Sequence, residues 1–334
     1  MRKLIIYPNC SKGGVSSVIR GRAADEPNTH FDVVFFNDRG GLRTFSDISN
    51  VNVRIIREDR AIAYLTYIVS RMEYDSVHVL STPKIANALV ENPDGVVVYE
   101  FHSSNMTVVE QELKELDIDK MSQIAVPSEM MKLKIGDRLP RRTLARLIVI
   151  PNLVDHRVFS NEGLSDFFDR DPKFADPKLR PIVWVGRFDK DKGYQYAIRT
   201  LAQLPEDFFG IFVVSLEHDP VRTSRFLSEC DAMGVRNRVQ LYMNLSQPEI
   251  ANLYRSARDR GGVYISTSLM ESFGYAIAES MECGLPCSAF NLPVLDLHRE
   301  RGQLRATPVG DVKALVGSVV QMAQGTRTWQ TPPK

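Results

Sequence analysis

The sequence predicts an α/β protein of two doubly wound, parallel-sheet domains, and three observations predict it. Short runs rich in Val and Ile recur without the polar alternation of a half-exposed sheet. Amphipathic stretches of helical length separate them. The alternation breaks once, over residues 155–180, and then resumes. A chain of 334 residues also exceeds the size at which one hydrophobic core stops growing.

Residues 4–7, 31–36, 51–56, 77–80, 96–101, 124–126 and 147–150 are expected as the strands of the first domain. Helices are expected between them at 15–23, 61–71 and 84–91. The polar, proline-bearing stretch that follows lacks a period and reads as a linker into the second domain. There, strands are expected at 182–185, 210–215, 239–242, 263–266 and 286–290. Helices are expected at 192–204, 221–233, 247–256, 273–283 and 310–324. The resulting division is 1–154, 155–309, and a C-terminal helix and tail, 310–334, packing back toward the first domain; the tail beyond 326 reads as frayed.

Composition narrows the function classes. The 43% hydrophobic and 25% charged residues suit a soluble globular protein, and a net charge of +1 provides no whole-chain field for nucleic acid or acidic membranes. Cys10, Cys230, Cys283 and Cys287 read as reduced, partly buried thiols, because C-x-x-x-C has neither zinc nor thioredoxin spacing. The first apolar run is too short for a signal peptide, and no stretch has the length to span a bilayer, so a cytoplasmic location is expected. The basic stretch Lys132, Lys134, Arg138, Arg141, Arg142 and Arg146 reads first as a solvated face. Peripheral contact with anionic lipid, or with a phosphorylated acceptor, is the alternative.

Ligands of open α/β sheets bind at the carboxyl ends of the strands, and the informative motifs follow strands. Gly186-Arg187-Phe188-Asp189-Lys190-Asp191-Lys192-Gly193 follows one strand. Gly186 permits close backbone approach, and Arg187 and Lys192 with nearby N–H groups form a receptor for a diphosphate. Taken alone, a charged turn balanced by Asp189 and Asp191 explains the segment equally well.

Thr267 to Glu279 follows another strand. Glu271 precedes a helix and Glu279 lies in it, about 9 Å beyond a helix start near Phe273 at 1.5 Å per residue. A diphosphate at the helix N-terminus would then have its ribose beside Glu279, with Glu271 facing hydroxyls of the sugar. The apolar residues around Glu279 argue for burial, and a buried carboxylate needs partners.

At this point a resemblance stands out. Glu271-x7-Glu279 with Ser272-Phe273-Gly274, together with Gly186-Arg187-x4-Lys192-Gly193, resembles the donor site of retaining glycosyltransferases of the GT-B fold, family 4. Pro151-Asn152-Leu153-Val154-Asp155 is similar to that family's interdomain segment, with Leu153 in place of glycine. The resemblance covers residues 147–292. It implies that Arg187 and Lys192 bind and stabilise the leaving diphosphate, Glu279 the ribose and Glu271 the transferred sugar. Backbone amides of Ser272, Phe273, Gly274 and Tyr275 would hold the sugar and distal phosphate. Met243, Asn244 and Leu245 would flank the nucleobase, although the family often has glycine near Met243. Gly13 and Gly14, at a strand-to-helix turn without Walker spacing, resemble the family's Gly-Gly loop beside the diphosphate and acceptor. His102 ends a strand at a ligand-facing edge, where the family commonly has a histidine near the sugar. A lone histidine is otherwise more often structural.

Three Asp-x-Asp pairs (Asp117–Asp119, Asp169–Asp171, Asp189–Asp191) in unrelated contexts carry no metal signal, and no histidine shows metal spacing. No cofactor is expected, only a nucleotide diphosphate sugar as donor. The expected reaction is metal-independent transfer of a hexose-type sugar to a hydroxyl with retention. The acceptor is open among a glycan, a lipid-linked glycan, a small molecule, a protein and a nucleic acid; no oligomeric state follows. Two other readings remain: a GT-B sugar-nucleotide epimerase, separable by product analysis without acceptor, and a non-catalytic nucleotide-sugar-binding module, separable by donor hydrolysis. A nicotinamide dehydrogenase fits worse, since no complete G-x-G-x-x-G follows a strand.

Overall fold

A computed structural model describes residues 1–91, 96–169, 171–174, 176–214 and 220–325. Two compact units divide the chain, residues 1–155 and 156–334. The first contains β1 (Arg2–Cys10), α1 (Gly14–Asp25), β2 (His30–Asp38), β3 (Val51–Ile55), α2 (Ala61–Arg71), β4 (Ser76–Leu80), α3 (Pro83–Leu89), β5 (Val97–Glu100), α4 (Met106–Glu115), β6 (Gln123–Val126), α5 (Glu129–Gly136) and β7 (Leu147–Val149). Its seven strands are parallel in the order β3-β2-β1-β4-β5-β6-β7. The strand sequence reverses direction between β1 and β4, which makes that boundary the switch point at which such sheets take ligands.

The second unit contains β8 (Arg180–Gly186), α6 (Tyr194–Gln203), β9 (Phe208–Val214), α7 (Pro220–Ala232), β10 (Val239–Met243), α8 (Gln247–Asp259), β11 (Val263–Ser266), α9 (Tyr275–Glu282), β12 (Cys287–Phe290), β13 (Leu304–Thr307) and α10 (Val312–Gly325). Its parallel order is β10-β9-β8-β11-β12-β13, with the switch between β8 and β11. Both sheets have apolar residues on both faces, as their continuous Val/Ile runs require.

Several sequence expectations change. α4 and α5 were not expected, yet Asn105 and Ser128 cap them, accepting from the N–H groups of Thr107 and Met131. β13 adds an edge strand. α10 packs on α6 and on the β11–β13 side of the second sheet, with Val319, Met322 and Ala323 in that unit's core, so this helix is part of the second unit. Ser215, the expected end of β9, and the tail from Thr326 lie outside the described residues.

The expected linker is also corrected. Phe159, Phe168 and Phe174 within it are fully buried in the second unit. Phe168 meets Phe174 and Phe209 edge-on, at 5.2 and 5.7 Å between centroids. Buried Arg255 on α8 donates to the carbonyls of Leu164, Ser160 and Val158 and so gathers the strap's backbone onto the unit. Aromatics at irregular intervals leave no periodic trace, which is why the strap reads as a linker.

All four cysteines are unpaired and buried. Burial pushes the thiols of Cys10, Cys230 and Cys283 up to about 12 and raises that of Cys287 as well.

Phe168→Ala is expected to destabilise the second unit by about 3–5 kcal/mol, the range for truncating a buried aromatic. Urea denaturation measures this; a loss below about 1 kcal/mol would show the strap to be peripheral to the fold.

Candidate functional site

In the second unit, the loops after β8 and β11 flank the switch point, because these strands are paired (Ile182 with Val263, Val183 with Tyr264). Backbone contacts join the loops. Leu269 N–H donates to the Asp191 carbonyl at 2.7 Å, and Thr267 Oγ1 donates to the Lys192 carbonyl at 3.1 Å. Thr267 Oγ1 in turn accepts the indole N–H of Trp184 at 3.0 Å. Gly193 passes closest: at φ 59°, a Cβ there would lie 2.4 Å from the Thr267 carbonyl oxygen. Gly186 is also confined, with the Trp184 ring 2.9 Å from a would-be Cβ.

This stitching brings Lys192 to Glu271, with Nζ 2.5 Å from Oε1, and Ser268 Oγ donates to the same oxygen at 2.7 Å. Lys192 was expected at the start of a helix. It lies instead on a separate 3-10 turn, Lys190–Lys192, because the left-handed Gly193 interrupts the chain before α6 begins at Tyr194. Arg187 takes a different partner: its Nε lies 3.0 Å from Asp189, which also pairs with Arg222. The Arg187 side chain is 58% exposed.

The helix carrying Glu279 starts at Tyr275, with left-handed Gly274 (φ 80°) as N-cap. Glu279 is thus four residues in, about 6 Å along the axis, closer to the N-terminus than a start at Phe273 implied. Glu279 is buried. Buried Tyr264 has its phenol held well above its ordinary range by burial first, then by Cys287 and by the nearby carboxylates Glu271 and Glu279.

Phe273 is buried, packs on Tyr275 at 4.7 Å and meets the His298 ring edge-on at 4.8 Å. Ser272 lies between Glu271 and Phe273 in this loop. His298 Nε2 lies 2.5 Å from the Phe273 carbonyl oxygen, so this nitrogen carries the hydrogen and anchors the turn before α9. Sequence reasoning passed over His298, which lies 25 residues beyond its partner. Met243 ends β10 and is exposed. Asn244 adopts φ 58° while its N–H donates to Val214, and Leu245 precedes the Ser246 cap of α8. The left-handed backbone explains why a glycine suits this turn.

In the first unit, Gly13 caps α1 without a side-chain bond and Gly14 opens the helix, at the end of β1 beside the switch point. His102 follows β5, and its Nε2 lies 2.9 Å from Glu100. Three of the six residues of the basic stretch are committed within this unit: Arg138 to Glu110, Arg142 to Asp119, and Arg146 to the Asp119 and Met121 carbonyls. Among the described residues, no group of three His, Cys, Asp or Glu side chains could hold a metal ion, and no helix is long and apolar enough to cross a membrane.

Two parallel Rossmann-like units, each with ligand-type loops at its switch point, define the GT-B fold class. Residues 166–297 match the family model described as Glycosyl transferases group 1, so the chain is a GT-B protein related to that family through its second unit. Curated relatives are similar over less than half of the chain. A probable sucrose-phosphate synthase of Thermosipho melanesiensis is 29% identical over 141 residues, 42% of this chain and 31% of that protein. A D-inositol 3-phosphate glycosyltransferase of Xylanimonas cellulosilytica is 28% identical over 156 residues, 46% and 36% respectively. The matches thus span about a third of those relatives' length. Among solved structures, Anabaena HepE in complex with UDP-glucose has a TM-score of 0.79 at 18% identity, covering 98% of this chain and 91% of that one. A sucrose-phosphate synthase of Thermosynechococcus elongatus gives 0.72 at 17%, with 98% and 91% covered.

Gly193→Ala is expected to cost more than the about 1–2 kcal/mol of left-handed backbone alone, because its methyl group meets a carbonyl. Gly234→Ala is the control, since Gly234 (φ 68°) has open space around it. Equal losses in thermal denaturation would discount the loop contact.

Burial first lowers the His298 pKa from its ordinary 6.5, opposed by the Phe273 carbonyl and the Glu271 charge and reinforced by Arg301. The unfolded chain then binds a proton that the folded chain refuses. This stability is fully present above about pH 6.5 and is lost as pH falls toward the lower folded value. Acidification from pH 7.5 to 5.5 should lower the melting temperature, and His298→Gln, which keeps a donor but cannot titrate, should flatten that slope. An unchanged slope in the variant would assign the effect elsewhere.

Proposed function

We propose that the protein is a retaining glycosyltransferase that moves a hexose-type sugar from a nucleotide diphosphate to an acceptor hydroxyl without a metal ion. The observation that carries this reading is the Lys192–Glu271–Ser268 cluster, which lies at the same switch point as the α9 N-terminus with buried Glu279 behind it. An anion at the α9 N-terminus gains from the helix dipole and the unpaired N–H groups of the first turn. Lys192 and the exposed Arg187 supply the positive charge that a metal would otherwise bring. Glu279 takes the ribose hydroxyls, Glu271 the sugar, and the backbone of Ser272 to Tyr275 the sugar and distal phosphate. Met243, Asn244 and Leu245 flank the base, while Gly13, Gly14 and His102 serve the acceptor and the reacting sugar. The likeness to HepE, whose structure contains UDP-glucose, supports a uridine nucleotide as the first donor to test.

In the proposed reaction, the bond from the anomeric carbon to the diphosphate oxygen breaks and the acceptor oxygen bonds to the same face. The departing phosphate oxygen takes the acceptor's hydroxyl proton. The charge that builds on the diphosphate is stabilised by Lys192, Arg187 and the helix end.

UDP-glucose is expected to raise the thermal midpoint of the protein. Lys192→Ala or Arg187→Ala should lower turnover by about 10²–10³, the range for one removed charge-stabilising group, at nearly unchanged melting temperature. Glu279→Gln should weaken donor binding more than it slows turnover. Near-normal rates in both cation variants would refute the assignment.

A further inference from the structure

The first unit buries a charged cluster, centred on Glu100, that the proposed reaction touches only through His102. Glu100, the last residue of β5, is 2% exposed and accepts hydrogen bonds from three side chains. Arg22 on α1 grips it with two donors, at 2.8 Å to Oε1 and 2.7 Å to Oε2. His78 on β4 brings Nδ1 to within 2.6 Å of Oε1, and His102 brings Nε2 to within 2.9 Å of Oε2. Each oxygen thereby accepts two hydrogen bonds, which fills a carboxylate's acceptor capacity. Ser76 Oγ lies 2.9 Å from the other ring nitrogen of His78. The cluster spans α1, β4 and β5, around the switch point of the first sheet.

A carboxylate is an acceptor only, so this geometry dictates the ring protons. Arg22 and the donors from His78 and His102 hold the Glu100 carboxyl well below its ordinary range, against the opposing effect of burial. Both nitrogens facing it must therefore carry hydrogen: Nδ1–H on His78 and Nε2–H on His102. For rings that each carry one proton, this geometry sets opposite tautomers around one carboxylate.

We propose that Glu100 is a positioning residue that holds His102 in the Nε2–H tautomer, leaving Nδ1 as the ring's acceptor for a hydroxyl of the bound sugar. Arg22 and His78 fix the carboxylate in turn. The tautomer assignment stands on the cluster alone; the sugar contact rests on the function proposed above.

Nitrogen-15 NMR of histidine-labelled full-length protein at pH 7.5 reads the tautomers directly. The expected result is one Nδ1–H ring and one Nε2–H ring, assigned by loss of signals in His78→Asn and His102→Gln. An Nδ1–H or doubly protonated His102 overturns the proposal. Glu100→Gln should return His102 to a mixture of tautomers. Should that variant fail to fold, Glu100→Asp, which withdraws the carboxylate by one methylene, gives the same readout.

The second measurement is turnover. His102→Gln keeps a donor for Glu100 but has no counterpart of Nδ1, so kcat should fall about tenfold or more, one lost hydrogen bond in the transition state, with little change in the donor's KM. Full rescue by glutamine overturns the role of Nδ1. A wild-type protein that turns over no nucleotide sugar, yet shows the opposite tautomers, refutes the glycosyltransferase reading and the sugar contact while the positioning by Glu100 stands.

Discussion

The backbone of Gly193 runs so close to the Thr267 carbonyl that no side chain fits between them, and the second unit's candidate site depends on that approach. Residues on either side of the contact inherit their positions from it. Lys192 lies one residue before it and Glu271 four residues after its partner, so the ammonium and carboxylate meet through backbone registration and not through long flexible stems finding one another. The indole N–H of Trp184 and the hydroxyl of Thr267 extend the same registration into the hydrophobic core. A pair held this way loses little conformational freedom when it engages a ligand, which is what preorganisation means physically.

Both units place a buried carboxylate close to their switch points, and the cost of burying charge shapes what surrounds each. Glu100 is saturated by Arg22, His78 and His102. Glu279 adds its charge to the burial that holds the Tyr264 phenol well above its ordinary range. A different ion pair holds the end of the first unit: buried Arg20 on α1 bonds buried Asp155 and the half-exposed Asp47, and Gly21 lets the chain at Leu153 pass within a Cβ's reach. In both arginine clusters, the buried carboxylates take charged donors from inside the fold.

The parallel sheets were legible because strands covered on both faces write themselves as continuous Val and Ile runs, as in β5 and β9. The second-unit motifs were legible because Lys192, Glu271 and Glu279 lie on short segments that follow strands. What escaped were features that periodicity cannot encode. α4 and α5 are short, and only the caps Asn105 and Ser128 mark them. The strap holding Phe159, Phe168 and Phe174 has no period. His298 meets Phe273 across 25 residues of sequence, and Arg22 meets Glu100 across 78. One signal was present and unused: Glu100 is a lone acid in an apolar strand, and the reasoning that assigned partners to Glu279 applies to it equally.

The four sequestered thiols make the protein a convenient host for site-directed spectroscopy. With Cys10, Cys230, Cys283 and Cys287 shielded and almost wholly protonated at neutral pH, a single cysteine engineered onto an exposed position would be the most reactive sulfur toward maleimide reagents. A second engineered cysteine on the other unit would complete a fluorophore pair that reports distances between the two sheets in solution without first stripping the native residues from the core.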